Sequence, residues 1–168
     1  VLQRLVEKLA DDPNAEVRRI GEIAEERLDE IQFLREEVEF YLEEAQLLLQ
    51  DGEYQEAVLS FEEALTAFRK AAELSPRNPP KIPASAWVQY ALALEKTGQS
   101  QKALECIEES LELDPRNQEA LVNKARILDK LGKYRESEEL LRTILTEELK
   151  RWEAEGYDVE ELKKKWLK

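Results

Sequence analysis

Residues 84–117 read ASAWVQYALALEKTGQSQKALECIEESLELDPRN, and the reading of this stretch decides the fold. Its landmark residues are Trp87, Ala91, Leu94, Gly98, Ala103, Ile107, Ser110 and Pro115. Within each half they recur at intervals of three and four, the period that lines up side chains on one face of an α-helix. Gly98 sits between the halves, where a residue free to take positive φ lets the chain reverse. The spacing therefore predicts two antiparallel helices with facing apolar stripes.

Moved forward by 34 residues, the same ruler fits 118–151: Leu121, Ala125, Leu128, Gly132, Tyr134, Leu141 and Ile144 fall into place. Moved back, it meets its turn glycine at Gly52, which is 46 residues before Gly98 and so twelve too many. Val38 to Gln50 still reads as a first helix, with Tyr41, Ala45 and Leu48 at the expected places. The excess therefore lies after the turn, where Ala57, Phe61, Ala64, Phe68 and Ala71 predict a second helix about two turns longer than its counterparts. Ser75 to Pro83 makes the return.

An aromatic early in the first helix, a turn Gly, Ala and a bulky residue in the second helix, and a closing Pro, all on a 34-residue period, resemble the tetratricopeptide repeat. The resemblance implies an all-α fold, a right-handed α-solenoid of helix-turn-helix repeats, here with extra N-terminal helices and a C-terminal capping helix. The expected divisions are an N-terminal extension over 1–37, three repeats over 38–83, 84–117 and 118–151, and the capping helix over 152–168.

In the extension, Leu2, Leu5, Val6 and Leu9 predict a short amphipathic helix, with Asp12 as the N-cap of the next and Pro13 at its first position. From Asn14 to Gln50 there is no Pro and one Gly, Gly21. Val17, Ile20, Ala24, Ile31, Leu34, Val38, Tyr41, Ala45 and Leu48 support either one helix of about 37 residues or two meeting at a kink near Arg35. At the other end Leu149 stands where Pro would close repeat three, so the helix is expected to continue through Trp152 to a C-cap at Gly156. Asp158 and Glu161 suggest a capping box. Val159, Leu162 and Trp166 would line one face, with Trp152 and Trp166 in the core of the cap.

Composition excludes much. The chain has no His, which removes the usual general base and metal ligand, and one Cys, which excludes an intrachain disulfide. No residue set suggests catalysis, a cofactor or a metal. With 38 acidic against 25 basic residues the net charge is −13, a field that repels phosphate backbones, so nucleic acid is not an expected partner. No apolar run is long enough to span a membrane, and the first residues do not form a signal peptide. The expected location is cytoplasmic. Because the chain begins at Val and lacks Met, it reads as an excerpt of a longer protein or as a designed one. Cys106 reads as a packing residue whose pKa is raised by Glu105, Glu108 and Glu109.

In the family resembled, first helices line a concave groove that holds an extended or helical segment of another protein. The positions implied here are Leu42 and Gln46 in repeat one, Val88, Gln89, Leu92 and Lys96 in repeat two, and Val122, Asn123, Arg126 and Lys130 in repeat three. Apolar shelves alternate with amides able to pair with a peptide main chain, and Arg126 could hold a carboxylate. Arg126 and Asn123 are expected to be exposed, so that removing them spares the fold. Family members that clamp the C-terminal carboxylate of heat-shock proteins use cations and Asn where this chain has Leu42, Gln46, Gln89, Glu119 and Asn123, so that clamp is absent. The expectation is a non-enzymatic module that binds a protein or peptide. The competing reading is a self-associating scaffold that pairs copies through the long N-terminal helix or the solenoid ends.

Overall fold

The computed structural model describes residues 2–166, all of its regular structure helical. Leu2, counted above in the first apolar face, has no described side chain. The elements are α1 (Leu2–Ala10), α2 (Ala15–Asp51), α3 (Tyr54–Leu74), α4 (Ala84–Lys96), α5 (Ser100–Leu113), α6 (Gln118–Lys130), α7 (Tyr134–Ala154) and α8 (Glu160–Trp166). They form two units, one reaching to Ile82 and the other starting at Pro83.

In the first unit, α2 is one continuous helix of 37 residues, about 55 Å long, on which α1 and α3 both pack. No Pro interrupts it, and Arg35, where a kink was an alternative, instead reaches sideways to donate to the Asn78 carbonyl at 2.5 Å. That bond fastens the Ser75–Pro83 return to α2. The N-cap is Asn14 rather than Asp12: the Asn14 side chain accepts from the Glu16 N–H at 2.9 Å. Asp12 is used one step earlier, accepting from the Asn14 N–H at 2.8 Å in a turn that Pro13 stiffens. Leu34, Val38 and Ala45 of α2 and Ala57, Phe61, Ala64 and Ala71 of α3 are buried, as the three-and-four spacing set out, whereas Ile20 on the same α2 stripe is exposed. Ser60 adds a polar tie, donating to Glu44 at 2.8 Å.

In the second unit α4 packs on α5, α5 on α6, α6 on α7, and α4 also touches α6. First helices thus lie beside first helices, with second helices behind them. Two buried serines fix the spacing within hairpins. Ser110 on α5 donates to the Ala84 carbonyl at 2.9 Å, and Ser137 on α7 donates to the Ala125 carbonyl at 3.0 Å. A larger side chain at either place would hold the helices apart.

The turns repeat one device. Gly98 has φ +83°, and the next N–H, that of Gln99, reaches back to the Leu94 carbonyl at 2.8 Å, closing the end of α4. The ends of α2, α6 and α7 are closed in the same way.

At the C-terminus α7 runs on through Trp152 to Ala154, and Gly156 takes positive φ just past its end. The short α8 is a separate helix of 7 residues, so the division drawn at 152 falls inside α7. Asp158 accepts from the Glu160 N–H at 3.1 Å, and Lys163 ties α8 to Glu153 of α7 at 2.9 Å. Val159 is buried at 2% exposure, but Trp152 and Trp166 are exposed at 37% and 55% and are not core residues. So short a helix cannot cover two indole rings together with Val159. Among the described residues no helix is long and apolar enough to cross a membrane.

Cys106 is buried on α5, and its thiol pKa is pushed up to about 12, chiefly by burial and then by Glu105 and Glu109. Glu108 is paired instead with Lys124 at 3.1 Å. Because the folded-state value lies above the unfolded one, the buried thiol contributes stability that is whole below pH 9 and is lost as pH rises toward 12. The expected result is that Cys106 resists alkylation at pH 8 in the native protein and reacts at once in urea. Rapid native labelling would show that the thiol is accessible.

Candidate protein-interaction site

The α4–α6 contact follows from sequence: each helix carries small or apolar residues on the buried side, Ala86, Ala93, Ala120 and Ile127 among them. Between the two helices lies a cleft of about 470 Å³. Val88, Gln89 and Leu92 of α4 line it opposite Val122, Asn123 and Arg126 of α6, with Gln118 and Glu119 at one end. These six of the ten expected groove residues are brought together.

The other four are not part of this lining. Leu42 and Gln46 stand on α2 in the first unit, half-buried and exposed respectively, and Lys96 and Lys130 are exposed at the ends of α4 and α6. Of the expected apolar shelves, Val88 is buried at 2% exposure and gives the cleft its floor, Leu92 is half-buried, and Val122 stands open at 54%.

The electrostatics differ from the expectation. Glu95, on α4, has a side chain only 3% exposed, and two cations converge on it from α6. Arg126 approaches one carboxylate oxygen at 2.5 Å and Lys130 pairs with the other. A buried carboxylate requires such partners, because desolvation of an unpaired charge costs several kcal/mol. Arg126 and Lys130 are therefore structural ties between α4 and α6, about half exposed, and not unattached groove cations. Sequence reasoning missed Glu95. The signal was a lone carboxylate within an otherwise apolar stretch, ALALEK, one repeat before two cations on the neighbouring first helix.

A second cleft, of about 500 Å³, lies beside α6 and α7 and includes Leu121, Ile144, Glu147 and Arg151. It holds none of the expected residues, and Arg151 is paired with Glu148 at 2.6 Å.

With paired helices, left-handed turn glycines and first helices side by side established, the family models agree. Models of the tetratricopeptide repeat match residues 22–79, 84–127 and 118–148. The chain is a tetratricopeptide-repeat protein. The first match begins within the stretch that the spacing assigned to the extension, and α2 runs through that boundary without a break. Among curated proteins, no match to this tetratricopeptide-repeat chain was found. Repeats of this family generally mediate protein–protein interaction.

Proposed function

We propose that this tetratricopeptide-repeat chain is a non-enzymatic module that binds an extended or helical segment of a partner protein in the α4–α6 cleft, without a heat-shock carboxylate clamp. The observation that carries the proposal is the grouping of two side-chain amides, Gln89 and Asn123, around Leu92 and Val122, with Gln118, whose amide donates to Glu148, at one end. Amides supply both donor and acceptor, as a peptide main chain requires, and the two apolar side chains supply contact area. Arg126 remains part of the reading in a changed role. Glu95 engages one edge of its guanidinium, Arg126 is about half exposed and lines the cleft, and its remaining donors suit an acidic side chain or terminal carboxylate.

The test uses residues outside the Glu95 cluster. Val122→Asp with Asn123→Ala replaces an open apolar contact by a negative charge and removes an amide. Partners captured on the intact chain are expected to bind the double variant at least tenfold more weakly, a loss of about 1.4 kcal/mol or more, with the melting temperature little changed. Equal capture by parent and variant would place the binding surface elsewhere.

A further inference from the structure

The uncovered face lies in the first unit, on α2. Phe33, Phe40 and Leu47 are exposed at 60%, 60% and 61%, and they fall at intervals of seven, one seam along a helix. Phe33 and Phe40 line a cleft of about 300 Å³ with Glu36, Glu37 and Tyr41. Phe40 meets the Tyr41 ring edge-on with centroids 5.4 Å apart.

Alignment on the turn glycines Gly52, Gly98 and Gly132 shows what kind of face this is. Phe40 corresponds to Ala86 and Ala120, and Leu47 to Ala93 and Ile127. Those counterparts are 6%, 0%, 0% and 1% exposed. On α6, which packs on α5 and α4, the two positions are thus part of a helix-packing surface. On α2 the same positions carry Phe40 and Leu47 and are open.

The charge around the seam says what fits it. Successive seam residues are separated by pairs of carboxylates three and four positions on: Glu36 and Glu37 after Phe33, Glu43 and Glu44 after Phe40. Glu44 is half-buried and already accepts from Ser60 of α3, so Glu36, Glu37 and Glu43 are the ones open to a partner. From Glu36 to Asp51, α2 carries six acidic residues and no Lys or Arg. A second copy laid on this face would set carboxylate rows against each other, adding to the repulsion of a net charge of −13 per chain. A helix with the opposite pattern would bury the three apolar groups and pair with Glu36, Glu37 and Glu43.

We propose that the Phe33–Phe40–Leu47 face of α2 is a docking surface for a basic amphipathic helix of a partner protein. The seam supplies contact area and register, and the flanking carboxylates select against acidic helices and against self-association.

The probe is a designed helix of about three heptads with Leu at a and d and Lys at the flanking positions, compared with a scramble of the same composition and with a Glu-for-Lys version. Titrated against the intact chain, the Lys helix is expected to bind at least tenfold more tightly than either control. Phe33→Gln with Phe40→Gln and Leu47→Gln leaves the charge unchanged and, since all three side chains are exposed, leaves the helical signal unchanged. It is expected to lose that advantage. Glu36→Lys with Glu43→Lys should lose it too. Binding that survives the Gln variant would be diffuse attraction to an acidic protein and would overturn the proposal, as would a preference for the Glu helix. Light scattering that shows a dimer in the parent and a monomer in the Gln variant would overturn it in favour of self-association. The Val122→Asp, Asn123→Ala variant should bind the Lys helix normally, which separates this surface from the α4–α6 cleft.

Discussion

Replacing Arg126 and Lys130 together with Ala is expected to destabilise the second unit by about 3 kcal/mol, the lower end of the range for stripping partners from a buried ion. Glu95 is the reason. Its side chain is 3% exposed, and both of its oxygens are engaged by these two cations from the next first helix. Removing the cations leaves a carboxylate with neither water nor a partner, whereas removing the carboxylate frees two half-exposed side chains that water can solvate. The asymmetry supplies the control. Adding Glu95→Leu to the double variant should recover most of the loss, because an apolar residue of similar size needs no partner there. Thermal and urea melts read both steps, with the double variant lower by several degrees or more. If the double variant melts with the parent, Glu95 is solvated in solution and the tie between α4 and α6 is unimportant.

A second large effect is expected at Gly21, with a sign opposite to helix propensity. In the middle of an exposed helix, Gly→Ala stabilises by about 1 kcal/mol. Gly21 lies within α2 but is buried where the end of α1 crosses it. A Cβ placed there would stand 2.4 Å from the Ala10 backbone N and 2.6 Å from the Leu9 carbonyl carbon. Backbone cannot move aside as a flexible side chain can, so α1 must leave. With it goes the burial of Val6, which is 5% exposed. For Gly21→Ala, amide exchange across α1 is expected to become as fast as in a free peptide, and proteases should cut at Arg4 and Lys8, while α2 and α3 stay protected. Retained protection of α1, or a gain in stability, would show that the crossing can relax.

Much of the fold was legible in the sequence because its signals are local. Three-and-four spacing marks helix faces, and a glycine marks each reversal. Gly52, Gly98, Gly132 and Gly156 all take the left-handed conformation, so helix ends could be read without knowing what packed where. The lengthened second helix of repeat one followed from counting residues between those glycines. The positions on α4 and α6 that share a cleft came instead from the family resemblance, and six of the ten implied residues lie together there.

What a side chain does once placed was not legible, because it depends on neighbours in other helices. Arg126 reads as a free cation until Glu95, 31 positions earlier, is seen buried beneath it. Trp152 and Trp166 read as core until α8 proves too short to cover them. Gly21 is only the single Gly of a long helix until α1 is seen crossing it. Phe40 and Leu47, which the spacing left off the apolar face of α2, match buried positions in the later repeats. Only the tertiary structure shows that they stand uncovered, since burial belongs to the packing of helices and not to the spacing along one of them.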